Sequence, residues 1–494
     1  MISDTLADKL QEAHRLHQSG QAAHAMAAYE EILTAQPWHV EALIRLGVIS
    51  AQTGDKTRAV ALFGRAVQAE PSNALPYNNR GLALQQVGQL EEALGNYDRA
   101  IALKADYADA HFNRGNVLLE LRRWQDSLDS YDRAIASRPR HAAAHANRGV
   151  VLKDLQRLSE AIDSFDRAIA IGPDFTTAVV NRATTLLLAG QFGRGWPEYQ
   201  RRPIAHTITT AEGAWNVADR LWLGDKPIAG KTILLRNEQG LGDTIQFCRY
   251  AKLLSEKGAS VLLQVQRPLM PVLTGLEGAA RVFAEGDVPP PFDYQCPLMS
   301  LPFAFNTTLD SIPNSRAYLR GNPENLRKWR AKLGTRTGLR VGLAWSGSRT
   351  NPNDRNRSIA LSDLVKYLPD GIEYISLLKD VRESDREVLK ANPQIVDLAQ
   401  EQAEFSDAAS LCECVDVVVS VDTSLAHLSA ALGRRTWILL SHCPGWRWML
   451  DREDSPWYPT VELLRAPEIG EWHGALTQMA AALVDLRSRG GAHE

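Results

Sequence analysis

Asp243 closes the turn Gly240-Leu241-Gly242 in NEQGLGDTIQFCRYAKLL (237–254), where an apolar strand pattern gives way to a helical one. Glycines at such a join permit a tight turn and close backbone approach, and a helix start can receive an anion. Asp243 has two readings here. It is an N-cap, or it is a carboxylate at the carboxyl end of a strand, facing the crevice where open α/β sheets bind ligands. Two glycines match the dinucleotide fingerprint only weakly. A second run, VDVVVSVDTSLAHLSAALG (415–433), carries a buried strand into Asp422, Thr423 and Ser424 and then into an Ala-rich helix ending at Gly433. Hydroxyls, free N–H groups and the helix dipole together make an anion seat. His427 lies three residues beyond Ser424, either as a structural histidine or as one that faces a ligand. A third run, AWSGSRTNPNDRNRSIALSDL (344–364), sets Trp345-Ser346-Gly347 after a strand and Arg349, Arg355 and Arg357 in one polar loop, before a helical pattern resumes at Ser358 or Ser362. A solvated loop is the plain reading. The functional reading is a set of guanidiniums that neutralise a diphosphate, with Arg357, nearest the resumed structure, the preferred candidate.

Composition narrows the chemistry further. The 494 residues carry a net charge of −3, which argues against partners held by phosphate neutralisation, so no nucleic acid is expected. No apolar run reaches the ~18 residues of a membrane span, and MISDTLADKL at the N-terminus lacks a secretory pattern. The five cysteines, Cys248, Cys296, Cys412, Cys414 and Cys443, show no CxxC spacing and read as the reduced thiols of a cytoplasmic protein. The chain has no Asp-x-Asp pair to chelate a metal, so no metal is expected, and arginines and helix dipoles must supply the electrostatics; no resident cofactor is expected either.

The elements that position these residues divide the chain near residue 200. All five cysteines and nine of the twelve tryptophans lie beyond it. Before it, Gly47, Gly81, Gly115 and Gly149 recur every 34 residues, with Ala183 continuing the series. Ala66, Ala100, Ala134 and Ala168 keep the same step, as do Pro37 and Pro71, then Pro139 and Pro173. Paired amphipathic helices repeated at that period bury their apolar faces only by stacking. Asn79, Asn113, Asn147 and Asn181 form a further column, each followed by an arginine. Such an Asn ladder either bonds an extended peptide backbone or only ties repeats together, and the arginines suit the second role better. Beyond residue 200, KTILLRNEQ (231–239), SVLLQVQ (260–266), LRVGLAWSG (339–347), IEYISLLKD (372–380), VDVVVSV (415–421) and RTWILLS (435–441) read as buried strands alternating with helices. The expected layout is a helical superhelix of five to six repeats over 1–200, a linker or cap over 201–228, one doubly wound domain over 229–330 and another over 331–494. The helical tail 471–490 is expected to return to the first of those two domains.

The 34-residue repeat resembles the tetratricopeptide (TPR) repeat over about 5–200. Gly242-Asp243 together with DTSLAHLSAA (422–431) resembles the ADP-heptose:lipopolysaccharide heptosyltransferase family. GLGDTIQF (240–247), NDRNRSI (353–359) and WRWMLDREDSPWYP (446–459) resemble its TPR-linked members. The resemblance implies a GT-B fold of two Rossmann-like domains, with the nucleotide-sugar donor held by the second and the acceptor facing the first. It implies Asp243 as general base, Thr423 and Ser424 on the donor diphosphate, Asp422 and His427 ordering the donor's sugar or ribose, and Arg357 at the leaving diphosphate. Gly240, Gly242, Trp345, Ser346 and Gly347 join the expected donor site. Ser424 departs from the Gly of many members. Trp446, Trp448, Trp457 and Tyr458 read as packing, one of them able to stack on the donor base, and Arg447 as a snorkelling or phosphate-binding side chain of low rank. TPRs that feed a GT-B domain also look like the architecture of the protein O-linked N-acetylglucosamine transferases. The expected function is sugar transfer to a Ser/Thr of a polypeptide held by the repeats, flagellin-like acceptors included. A lipopolysaccharide or capsule glycan as acceptor, and a silent scaffold that binds nucleotide sugar, are the rivals. TPR stacks can also self-associate, which leaves a homo-oligomer open.

Overall fold

The computed structural model describes residues 2–204, 207–210, 213–351 and 353–490; the remaining positions of the expected domains 1–200, 201–228 and 331–494 lie outside the described residues. Its contacts divide the chain into two compact units, Met1–Asn181 and Arg182–Glu494.

The first unit is a stack of helix pairs: Ile2–Gln18 with Ala22–Ala35, Val40–Gln52 with Lys56–Ala69, Ala74–Gln86 with Leu90–Leu103, Ala108–Glu120 with Trp124–Ser137, and Ala142–Asp154 with Leu158–Ile171. A Cβ on Gly47, Gly81, Gly115 or Gly149 would stand 2.7, 2.7, 2.6 or 2.7 Å from a ring carbon of Phe63, Tyr97, Tyr131 or Phe165. The small column of one helix is therefore the seat of a buried aromatic column in its partner. A second column ends the first helix of each pair. Gly20, Gly54, Gly88, Arg122 and Gln156 take φ of 77, 95, 82, 59 and 58°. At four of the five, Gly54 excepted, the N–H one position further on bonds back to the last turn, as Arg123 does to the Leu118 carbonyl at 2.8 Å and Arg157 to that of Leu152 at 2.8 Å, the Schellman geometry of a left-handed cap.

The unit boundary falls inside helix Thr176–Leu188, so the next helix, Phe192–Tyr199, belongs to the second unit. Trp196 explains why: it is buried, donates from Nε1 to the Thr307 carbonyl at 3.0 Å, and meets the Trp446 ring edge-on at 5.2 Å.

Within the second unit the expected linker contains an antiparallel pair, β1 (Thr207–Thr210) and β2 (Gly213–Asn216). Strands β3 (Thr232–Arg236), β4 (Ser260–Val265), β5 (Ala279–Ala284) and β6 (Tyr294–Pro297) form a parallel sheet of order β5-β4-β3-β6. Strands β7 (Arg340–Ala344), β8 (Glu373–Ser376), β9 (Ile395–Val396), β10 (Val417–Val421), β11 (Thr436–Leu440) and β12 (Val461–Arg465) form another, of order β12-β11-β10-β7-β8-β9. That is the dinucleotide-fold order, with its switch point between β7 and β10. Stacked helix pairs followed in the chain by two parallel α/β sheets match the expected fold class, a repeat superhelix and then a GT-B pair of Rossmann-like domains.

Two assignments made from the sequence change. Helix Pro323–Leu333, split between the two expected domains, goes with the second sheet's lobe: Asn325 donates to Ser406 at 2.7 Å and the Trp329 indole to Asp407 at 2.8 Å. The tail helix His473–Ser488 does not return to the first sheet. It covers β11 and β12, burying Ala475, Leu476, Met479, Leu483 and Leu486, because the strand before it is an edge of that second sheet whose face needs covering.

Candidate functional site

Pairing of Val417 with Val341 through Ser420 with Ala344 brings the carboxyl ends of β10 and β7 side by side. Both candidate loops therefore leave the sheet at its switch point, where ligands bind in open α/β sheets. After β10, Thr423 is the extended N-cap of helix Ser424–Ala431, so Ser424 is its first helical residue. After β7, Gly347 donates to Ser358 Oγ at 3.0 Å, and Ser358 donates to the buried Asp354 at 2.7 Å. Arg382 closes this knot on Asp354 and Ser358. Neither Ser358 nor Ser362 starts the resumed helix. A single turn, Asp354–Arg357, precedes another that begins at Leu361. The turn matters because it aims Arg357 inward. Its Nη1 donates to the Asp422 carbonyl at 2.8 Å, and a Cβ on Gly347 would stand 2.7 Å from its Nη2. Arg349 and Arg355 are exposed. Ser346 is buried beside this knot. Trp345 is a correction: it is 1% exposed and its indole donates to Asp385 at 2.9 Å, so the ring is core and offers no surface to a ligand.

The first lobe supplies the facing wall. Helix Leu241–Phe247 follows β3, with Gly240 at its N-cap. Asp243 is not the N-cap but the third helical residue, and its Oδ2 accepts from the Gly240 N–H at 2.8 Å. The other carboxylate oxygen pairs with Arg447 of the loop after β11. Gly242 is small for a reason that sequence spacing could not reveal. A Cβ there would stand 2.7 Å from His427 Cδ2. The two motifs, distant in sequence, touch.

His427 is fixed from three sides. Nδ1 bonds the Tyr458 hydroxyl at 2.8 Å, Trp448 stacks on the ring at 5.2 Å, and Nε2 lies 4.0 Å from Asp422 Oδ1. Burial holds its pKa far below the ordinary imidazole range, and the charges of Arg447, Arg249 and Arg357 push the same way, so the ring is neutral at pH 7. Burial raises the Asp422 carboxyl above its ordinary range, against the pull of Arg447 and Arg357. None of the five cysteines is in a disulfide; burial pushes Cys248 and Cys412 up to about 12, out of the reactive range.

Arg447, ranked low from sequence, is central. It spans Asp243 and Gln246, donating from Nε to Gln246 Oε1 at 2.8 Å, and lies over the Trp446 ring at 4.4 Å. An arginine flanked by two tryptophans was the available signal, but it reads equally as packing. Trp446, Trp457, Phe247 and Trp196 do form an aromatic cluster beneath it. Among the described residues no group of three or more His, Cys, Asp or Glu could hold a metal ion, and no helix is long and apolar enough to cross a membrane.

In the first unit the Asn column bonds to asparagines outside it. Asn113 Nδ2 donates to Asn78 at 3.1 Å, Asn147 Nδ2 to Asn116 at 2.9 Å, and Asn79 accepts from Asn78 at 3.3 Å. Asn181 ends the unit. The arginines beside them bind within the stack, Arg114 to Asp98 and Ser130 and Arg148 to Asp132 and Ser164.

Comparison with known proteins adds families to this geometry. Tetratricopeptide repeat models match residues 16–78 and 113–174, and a TPR repeat model matches 86–122. The model described as glycosyltransferase family 9 (heptosyltransferase) matches 379–440, which contains Asp422, Thr423, Ser424 and His427. Protein FlbA of Caulobacter vibrioides is 27% identical over 335 residues, 62% of this chain and 54% of that protein, so the match spans about half the relative's length. Solved structures of MamA (25% identical, covering 33% of this chain and 94% of that one, TM-score 0.31) and of YrrB, a TPR protein (24%, covering 35% and 88%, TM-score 0.31), also match. The chain thus carries N-terminal segments similar to tetratricopeptide repeats and, in the lobe of its second sheet, a segment similar to glycosyltransferase family 9, the heptosyltransferase family.

Proposed function

We propose that this protein transfers a sugar from a nucleotide-sugar donor to a hydroxyl of a polypeptide acceptor recruited by the TPR unit. The observation that carries the reading is the meeting of Gly242 and Asp243 with His427, Asp422 and Arg357 at the switch point of the second sheet. The donor diphosphate lies against the start of helix Ser424–Ala431, with Thr423, Ser424 and Arg357 as its partners. Asp243 accepts the proton of the acceptor hydroxyl as that oxygen bonds the anomeric carbon and the sugar–diphosphate bond breaks. Charge on the departing nucleoside diphosphate falls to arginines and the helix dipole, without a metal and without a resident cofactor, the donor being a co-substrate. Neutral His427 and Asp422 orient the sugar or ribose.

The polypeptide acceptor is supported by the fusion of TPR repeats to this domain. Half-buried Asn113 and Asn147 keep amide capacity beyond their bonds to the neighbouring repeats, as peptide binding by the Asn column requires. A thermal-shift panel of nucleoside diphosphates and nucleotide sugars tests the donor site, because a ligand of the native state raises the melting point. Labelled sugar from the donor so identified should then appear on protein, and Asp243→Ala should abolish it. Label on glycan alone would overturn the polypeptide acceptor; transfer undiminished in Asp243→Ala would remove that residue from the base role.

A further inference from the structure

Arg447 holds a position the mechanism above does not use. Its guanidinium is paired with Asp243, and both side chains are only 15% exposed. It reaches this pair from the second lobe. Its turn, Trp446–Trp448, follows Gly445, where a Cβ would stand 3.4 Å from Asp422 Oδ2. The same cation thus lies between the acceptor-side carboxylate and the loop that leads into the donor-side helix. A guanidinium has five N–H donors in a rigid fork, and the bonds to Asp243 and Gln246 use Nη2 and Nε. The guanidinium carbon itself lies over the Trp446 ring at 4.4 Å, a cation–π contact that the head would keep while turning in its own plane from one anion to another.

Two anions compete for that head. A carboxylate paired with a guanidinium is a poor acceptor for a hydroxyl proton, since its lone pairs and charge are already engaged. A diphosphate carries more charge than a carboxylate and matches the arginine fork. We propose that Arg447 is a donor-operated latch: without donor it holds Asp243, and the donor's diphosphate draws it away, freeing Asp243 to receive the acceptor's proton. The latch makes Asp243 available only after the donor has bound, which imposes an order on the two substrates. This inference rests on the donor-site reading given above.

Calorimetric titration with inorganic pyrophosphate and with ADP, GDP, UDP and CDP tests it on the full chain, with no acceptor needed. Asp243→Asn removes the competing charge yet keeps an oxygen for the Gly240 N–H, so the helix start stays capped. The diphosphate that binds the wild type should bind Asp243→Asn roughly tenfold more tightly, the size expected when a charge-assisted hydrogen bond no longer has to be given up. Arg447→Gln should bind it more weakly. In the double variant the gain from Asp243→Asn should vanish. A gain that persists without Arg447 would mean simple relief of charge repulsion and would overturn the latch, as would unchanged or weaker binding by Asp243→Asn. If that variant does not melt cooperatively, Asp243→Ser takes its place in the cycle with the same expectations. Failure of every probe to bind the wild type would instead refute the donor site itself.

Discussion

Replacing Gly242 with alanine probes the one point where the two family motifs meet. The added methyl would lie 2.7 Å from His427 Cδ2, 3.4 Å from Nε2 and 3.6 Å from Cγ. The first of these is roughly 0.8 Å inside the ~3.5 Å carbon–carbon optimum. His427 cannot retreat: the Tyr458 hydroxyl holds Nδ1 at 2.8 Å, and Trp448 is stacked on the ring. Overpacking of this kind costs about 1–3 kcal/mol, while alanine regains up to ~1 kcal/mol of helix propensity over glycine. The net loss is about 1–2 kcal/mol, which lowers the melting temperature by roughly 2–6 °C in a unit of this size. The effect on turnover is larger, because a shift of ~1 Å between Asp243 and the donor side costs on the order of a hundredfold. Scanning fluorimetry gives the first number and transfer from the identified donor the second. His427→Ala removes the obstacle, so Gly242→Ala should cost less in that background than alone. Full additivity of the two substitutions, or a Gly242→Ala melting point equal to wild type, would refute the contact.

Two further outcomes follow from the geometry. Because the folded state holds His427 neutral while an unfolded imidazole titrates near ~6.5, its contribution is full above that pH and is lost as pH falls below it, with a slope approaching ~1.4 kcal/mol per pH unit. Asp422, raised in the folded state, has the opposite sign, so the comparison is His427→Gln against wild type: the variant's melting temperature should fall less between pH 6.5 and 5, and an equal fall would contradict the buried neutral ring. At the left-handed caps, Arg122→Gly and Gln156→Gly relieve non-glycine residues at φ of 59 and 58° and should each stabilise the repeats by about 1 kcal/mol, read as a higher denaturant midpoint; a lower midpoint in both would show that side-chain contacts outweigh the backbone strain.

Which strands the sequence revealed follows a physical rule. The six apolar runs correspond to β3, β4, β7, β8, β10 and β11, the interior strands of their sheets, covered on both faces and therefore continuously apolar. Strands β5, β6, β9 and β12 escaped notice, and all four are edges. An edge strand is partly exposed, as the outward Arg281 and Glu462 show, and Pro297 can end β6 because it lies at a border. Periodicity carried the repeats in the same way, since a glycine every 34 residues records a helix–helix contact.

Local pattern by itself determined the repeat stack, the parallel sheets, and the position of Asp243, Arg357 and the 422–427 turn at strand ends, because each is encoded within a few turns of its own chain. Tertiary structure alone decided which of them meet. Asp243 and Arg447 are separated by 204 residues, and no periodicity links them. Their pairing depends on how one lobe's helix start lies against the other lobe's loop, as does the need for glycine at 242 and the neutral state of His427. Burial and charge at that contact are sums over residues from every part of the second unit, and such sums exist only once the chain has folded.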